Sequence, residues 1–215
     1  MAKLIIMVAA FAPQAGKSTF VNNFAEIVLT SDINRVGIIS FANPMKWMLI
    51  SFLQQSCGYT EEEAVLALFG KAKEEALRID GVNQPVTHRK MMQTLGTEWR
   101  LALGLENLWA DISAKQIKGL SAEPLTFMID DWRFLNEYQV IKGLEKDGFK
   151  VITVCIRNTN AEANYNDTHA SEGELKDFAF DFTFHNNGSL AEFKVQAIGF
   201  AKELESMLCP QNIPL

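Results

Sequence analysis

An α/β fold with a mainly parallel sheet is what three observations in the sequence predict. Residues 4–10 form an uninterrupted apolar run, as a parallel strand buried on both faces requires. Similar short runs at 125–129 and 151–156 alternate with segments whose apolar residues recur at helical spacing. The 215 residues are 48% hydrophobic and 21% charged, with no linker, repeat or low-complexity stretch, so one domain spanning 1–215 is expected.

The elements follow in order. After the first strand, a short loop leads to a helix carrying Phe20, Phe24, Ile27 and Val28. Residues 36–41 read as a second strand, and Pro44 suits the first turn of the next helix. From about 45 to 120 only helical patterns occur: Thr60-Glu61-Glu62-Glu63 is a capping box, and 88–101 and 105–117 are amphipathic. The strand at 125–129 ends in Asp130-Asp131. Phe134, Leu135, Tyr138, Ile141 and Leu144 then line a helix that Gly148 stops. A fourth strand covers 151–156, the polar stretch 157–174 reads as a mobile loop, and 178–184 is a fifth strand. Ser189-Leu190-Ala191-Glu192 caps a last helix bearing Phe193, Ala197, Ala201 and Leu204.

A net charge of −6 argues against a broad nucleic-acid or anionic-membrane surface. Any anionic ligand must be met by a few placed cations, so the positions of the six arginines matter. Cys57, Cys155 and Cys209 are isolated and read as small hydrophobes in a reducing cytosol, without disulfide or zinc site. The apolar run at 4–12 is too short to span a bilayer. With Lys3 before it and Ala12-Pro13-Gln14-Ala15 after it, the run imitates a secretory signal, but Gly16-Lys17-Ser18-Thr19 gives it a better use. A cytoplasmic location is expected.

Residues 11–18, Phe-Ala-Pro-Gln-Ala-Gly-Lys-Ser, fit the phosphate-loop pattern GxxxxGK[ST] except at its first position, where Phe11 replaces glycine. Strand, tight loop and helix start bring backbone N–H groups and the positive helix end to bear on phosphates. Gln14, Ala15, Gly16, Lys17, Ser18 and Thr19 are the candidate nucleotide-binding residues, with Lys17 reaching the β- and γ-phosphates and the Ser18 hydroxyl on Mg²⁺. If position 11 requires a positive φ, a phenyl side chain there costs about 1–2 kcal/mol. The bland alternative is a Gly-Lys-Ser helix start that binds nothing.

Ligands of such sheets sit beyond the carboxyl ends of the strands, where polar residues converge. After the second strand, Lys46 in a first helical turn either binds an anion or is a solvated charge. After the third, Asp130 and Asp131 suit the surroundings of a Mg²⁺–water complex, and Arg133 offers a bidentate phosphate fork. A structural ion pair is the alternative there. Arg89, Gln93 and Arg100, at i, i+4 and i+11 of one predicted helix, either hold a phosphate and a base edge or form a solvated face. Arg157 ends the fourth strand, His169 suits positioning or loop closure, and Asn186-Asn187-Gly188 either contacts a nucleobase or is merely a turn.

Taken in order, Ser40-Phe41-Ala42-x-Pro44-x-Lys46, Gln93-x-Leu95-Gly96-Thr97-Glu98-Trp99, Leu108-Trp109, Asp130-Asp131-x-Arg133-Phe134-x-Asn136-Glu137 and His169-x-Ser171-Glu172 resemble the bacteriophage deoxynucleoside monophosphate kinases. The resemblance runs through nearly the whole chain. It implies a P-loop nucleoside monophosphate kinase-like fold: a five-stranded mainly parallel sheet flanked by helices, a helical NMP-binding insertion at about 45–120 and a lid at about 157–174. It also implies Mg²⁺-dependent transfer of the ATP γ-phosphoryl group to a deoxynucleoside monophosphate, in the host cytoplasm if the chain is phage-encoded. Small nucleotides are then the partners, without nucleic acid or membrane, and a homodimer is left open.

By the same resemblance, Lys17, Arg133, Asp131 and Arg157 would be catalytic, with Ser18 and Asp130 on the metal. Phe41, Lys46, Arg89, Gln93, Glu98, Arg100 and Arg133 would line the acceptor site, and Asn187 would join the ATP-binding residues. The departures are Phe11 and Arg100, the latter one place from the family's usual arginine. Two other readings stand beside this one: a P-loop kinase of another small substrate such as dephospho-coenzyme A, and a nucleotide-binding protein impaired in catalysis.

Overall fold

In a computed structural model, the structure describes residues 3–30, 35–79, 85–120, 125–165 and 173–208. The elements are β1 (Lys3–Ala10), α1 (Lys17–Thr30), β2 (Arg35–Ile39), α2 (Asn43–Cys57), α3 (Glu61–Phe69), α4 (His88–Gln93), a π-helical segment (Thr94–Trp99) and α5 (Arg100–Ala102). They continue with α6 (Leu108–Leu120), β3 (Leu125–Ile129), α7 (Leu135–Lys142), β4 (Phe149–Arg157), α8 (Thr159–Ala163), β5 (Phe182–His185) and α9 (Leu190–Leu208). The chain divides into two compact units, residues 1–40 with 113–215, and residues 41–112.

The first unit holds a five-stranded sheet of order β2-β3-β1-β4-β5 in which every pairing is parallel. Central β1 is buried along its length, which is why its sequence reads as an unbroken apolar run. Its residues alternate between faces, and Leu4, Ile6 and Val8 pack with Phe20, Val21 and Phe24 of α1 and Phe193, Ala197 and Phe200 of α9.

The register fixes what emerges together at the carboxyl edge. Met7 lies opposite Ile129, Ala10 opposite Ile156, and Arg157 opposite His185. The chain leaving β1 therefore meets the ends of both β3 and β4, at the place where strand order reverses and ligands bind in such sheets.

The second unit is helical. Pro44 opens α2 within its first two positions. Thr60 and Glu63 cap α3 reciprocally, the Glu63 carboxylate accepting from the Thr60 N–H at 2.9 Å. That hydrogen bond, joined by one from Arg78, holds the Glu63 carboxyl down at about 2. Buried His88 is 2.9 Å from the Ala72 carbonyl through Nδ1 and 3.0 Å from the Tyr59 hydroxyl through Nε2. A carbonyl only accepts, so Nδ1 carries a proton.

Several expectations are corrected. The predicted single helix over 88–101 is interrupted by the π-helical turn at Thr94–Trp99, centred on Gly96, where a Cβ would lie 3.2 Å from the Met45 sulfur. The second strand stops at Ile39, and Phe41 lies in a turn. The helix expected over 105–117 is Leu108–Leu120. The polar stretch after Arg157 is not all loop, because the Asn158 side chain caps α8 by accepting from the Ala161 N–H. The fifth strand is only Phe182–His185, since Phe178 and Phe180 instead pack their rings against Trp132. His169 and Cys209 lie outside the described residues.

Candidate functional site

The candidate site is assembled in the first unit at the end of β1. Ala10, Ala12, Pro13, Gln14, Ala15, Gly16, Lys17, Ser18, Thr19 and Arg133 line a cleft of about 340 Å³. The amides of Lys17, Ser18 and Thr19 belong to the first turn of α1, where no intrahelical acceptor exists, so they are available to an anion.

The loop places its left-handed residues at Gln14 (φ 60°) and Gly16 (φ 109°), and Phe11 is not among them. The expected backbone penalty at Phe11 is thus absent and falls on Gln14 instead, at about 1–2 kcal/mol. Gly16 is required on two counts. Its backbone is left-handed, and a Cβ would lie 2.5 Å from Asn186 Nδ2 and 3.1 Å from Phe193 Cε1. The Phe11 ring packs edge-on against Phe180, with centroids 6.2 Å apart, and carries the Arg157 guanidinium 5.0 Å from its own centroid.

Burial, reinforced by the nearby Arg133 guanidinium, pushes the Lys17 ammonium down to about 8. Asp131, Asp130 and Glu137 pull the other way without cancelling it. An ammonium disfavoured by burial and by a second cation gains most when an anion enters the same cleft. The cleft thus offers an anion a buried cation beside helix-start amides.

Asp131 accepts a 2.5 Å hydrogen bond from the Ser40 hydroxyl, which ties the end of β3 to the residue following β2. Arg133 is set by its own backbone. Buried Glu137 accepts from the N–H groups of Arg133 (2.9 Å) and Phe134 (3.0 Å), capping α7 and fixing the turn that presents the arginine.

The metal expectation concerns Ser18 and Asp130. The Ser18 hydroxyl lines the cleft, and the carboxylates of Asp130 and Asp131 are close enough to act on Lys17, so the groups on offer are oxygen donors. That donor chemistry suits a magnesium ion that keeps several waters and takes phosphate oxygens. No group of three or more His, Cys, Asp or Glu able to hold a metal alone occurs among the described residues.

Arg157 forms a bidentate pair with Glu162, Nε to Oε1 at 2.9 Å and Nη2 to Oε2 at 2.7 Å. The pair raises the arginine further and holds Glu162 below the usual carboxylate range. Asn187, expected at the nucleotide, has its side-chain oxygen on Thr159, accepting from the N–H at 2.9 Å and the hydroxyl at 2.7 Å. Its neighbour Asn186 touches the phosphate loop: Nδ2 donates to the Ala15 carbonyl at 2.9 Å, while the Asn186 N–H donates to Arg157 and its carbonyl accepts from Asn158. Asn158 had no local sequence signal, and Asn186, read as a nucleobase contact or a turn, reaches the loop only because β4 and β5 are neighbours.

In the second unit, Phe41 is buried and the Lys46 ammonium lies 4.4 Å from the Phe69 ring centroid. Arg89 pairs through Nε with the Glu74 carboxylate, Gln93 closes α4, and Glu98 lies 3.5 Å from Lys90. The expected shared face of Arg89, Gln93 and Arg100 assumed α-helical periodicity, which the π-helical turn breaks. Arg100 is buried. Its Nε donates to the Gly96 carbonyl at 2.8 Å, its Nη1 donates to the Glu106 carbonyl, and the Trp109 indole shares the Gly96 carbonyl at 3.1 Å.

No helix among the described residues is long and apolar enough to cross a membrane. Among solved structures, an APS kinase from Mycobacterium tuberculosis in complex with AMPPNP and APS matches with a TM-score of 0.50 at 11% identity, covering 95% of this chain and 98% of that one. A Cys556Ala mutant of the same organism's APS kinase gives 0.48 at 11% identity over 95% and 99%. Shikimate kinase from Acinetobacter baumannii gives 0.39 at 9% identity over 100% and 97%. The first of these likenesses establishes a P-loop kinase fold. No curated protein matches the chain. The family model "Deoxynucleotide monophosphate kinase" matches residues 42–197, which begin after the phosphate loop and include the Asp130–Arg133 turn, Arg157 and Asn186. The chain therefore belongs to the deoxynucleotide monophosphate kinase family and is a nucleotide kinase, a phosphotransferase.

Proposed function

We propose that the protein transfers the γ-phosphoryl group of ATP, bound with Mg²⁺, to a deoxynucleoside monophosphate, giving ADP and the diphosphate. The observation that carries this reading is the cleft in which Lys17, depressed by burial and by Arg133, faces the first-turn amides of α1. The family match supplies the acceptor class.

Little acid–base chemistry is required of the protein, because positioning and charge stabilisation carry phosphoryl transfer. Lys17 and the loop amides hold the β- and γ-phosphates of the donor. Arg133 and Arg157 supply further positive charge. Ser18 and Asp130, with Asp131 held by Ser40, would hold the magnesium ion, which neutralises phosphate charge when bound. Acceptor recognition is assigned to Phe41, Lys46, Arg89 and Gln93 of the second unit. Arg100, committed to two backbone carbonyls, serves the shape of that unit.

The testing experiment is ADP release from ATP–Mg²⁺ across all deoxy- and ribonucleoside monophosphates, with dephospho-coenzyme A as a further acceptor. Release driven by one or more deoxynucleoside monophosphates is expected. Release driven only by another acceptor, or by none while ATP still binds, contradicts the assignment.

A further inference from the structure

We propose that Phe11, the residue occupying the first glycine position of the phosphate loop, is a positioning residue for Arg157. The inference rests on the functional reading above, in which Arg157 contributes charge to the donor phosphates.

The relationship begins in the sheet. Ala10 and Ile156 are register partners, so Phe11 and Arg157 leave adjacent parallel strands side by side. A glycine at position 11 would give the guanidinium nothing to rest on. Phenylalanine gives it an aromatic face, with the guanidinium carbon 5.0 Å from the ring centroid. The ring is itself held: Phe180 meets it edge-on, Trp132 meets Phe180 with centroids 5.5 Å apart, and Trp132 is fully buried with its indole N–H on the Phe134 carbonyl.

The guanidinium edge is held separately, by the two-point pair with Glu162. Glu162 is fixed in turn by accepting from the Asn158 N–H at 3.0 Å. One face on Phe11 and one edge on Glu162 leave the arginine a narrow choice of rotamer. The Arg157 carbonyl also accepts from Asn186, whose side chain grips the loop at Ala15. Loop and arginine thus form one braced assembly. In it the aromatic side chain performs a task that the usual glycine cannot.

The test uses the full-length protein with Phe11→Leu, which keeps apolar bulk against Phe180 but removes the aromatic face, and Phe11→Tyr, which keeps it. The first readout is the Arg157 side-chain Nε–H resonance, identified among the six arginines by its loss in Arg157→Lys. The Glu162 hydrogen bond deshields this proton in every variant, so the ring current is read as a difference: the resonance is expected further upfield in wild type and Phe11→Tyr than in Phe11→Leu. Equal shifts in wild type and Phe11→Leu overturn the proposal, and where Phe11→Leu fails to fold, Phe11→Met takes its place.

The second readout is the calorimetric Kd for a non-hydrolysable ATP analogue. Phe11→Leu is expected to weaken binding about two- to fivefold, the scale of an exposed cation–π contact. Phe11→Tyr should restore the wild-type value, and Phe11→Leu should cost nothing further in an Arg157→Met background, which has no cation for the ring. Equal losses in both backgrounds, or none in either, overturn the positioning role and leave the kinase reading standing. A wild-type protein that binds no ATP analogue overturns both.

Discussion

The Asn186 side-chain amide donates to the Ala15 carbonyl at 2.9 Å, joining two positions 171 residues apart and tying the turn after β5 to the floor of the phosphate loop. The contact follows from topology: β5 lies beside β4, β4 beside β1, and the three strand ends emerge in one row. Replacing Asn186 by Ala is expected to cost about 1–2 kcal/mol, the scale of one part-buried hydrogen bond and an orphaned carbonyl. Replacing it by Asp should cost more, because a carboxylate oxygen then faces a carbonyl oxygen. Thermal unfolding of the two variants checks the order; an Asp variant more stable than the Ala variant contradicts it.

Gly16 is the position where the loop tolerates least. Gly16→Ala combines a left-handed backbone with a Cβ 2.5 Å from Asn186 Nδ2. We expect a loss of about 2 kcal/mol or more, read as a fall in Tm of about 4–8 °C for a chain of this size. A Tm within a degree of wild type would mean that loop and Asn186 separate freely.

Lys17 makes the site pH-dependent in a defined direction. With its ammonium lowered from 10.5 to about 8, the empty protein loses this charge as pH rises through 8. A triphosphate restores it, so binding of an ATP analogue should take up protons at about pH 8.5 and weaken as pH rises further. Calorimetry at pH 8.5 in two buffers of different ionisation enthalpy measures that uptake, and equal heats in both contradict it. For folding the sign is as follows. The native state gives up the proton near 8 and the unfolded chain near 10.5, so the unfolded chain binds more protons between them. This group's contribution to stability therefore rises across that window.

Arg100 separates structure from recognition. Arg100→Met keeps much of the apolar stem but leaves the Gly96 and Glu106 carbonyls without its N–H groups, an expected loss of about 1–3 kcal/mol. Lysine, a single-point donor, should not restore the two-carbonyl bridge. Unfolding curves of Arg100→Met and Arg100→Lys decide it, and full stability in the lysine variant would sink the bridging role.

Much of the fold was legible because parallel strands announce themselves as apolar runs and helix starts as caps. Residues 4–10, Pro44, Thr60–Glu63 and Ser189–Glu192 all acted through local chemistry. The phosphate loop was legible for the same reason. What could not be read was non-local. The π-helical turn at Gly96 moves Arg100 off the face that α-helical spacing assigned it. The rings of Phe178 and Phe180 alternate like a strand but are drawn instead to Trp132. Asn187 stood out as an Asn-Gly turn residue, yet its side-chain oxygen serves Thr159, while Asn186 reaches the loop because β4 and β5 are neighbours. Phe11 read as a defect only because its partner, Arg157, comes from the far side of the sequence.

The central claim is that the β1–α1 loop seats a triphosphate through Lys17. The most direct measurement is the calorimetric affinity of wild type and Lys17→Met for a non-hydrolysable ATP analogue with Mg²⁺ at pH 7. We predict saturable one-site binding to the wild type and at least about a 30-fold loss in the variant, the scale of removing a charged phosphate contact, with the fold intact by circular dichroism. Equal affinity in the two proteins, or no binding to either, would contradict the account.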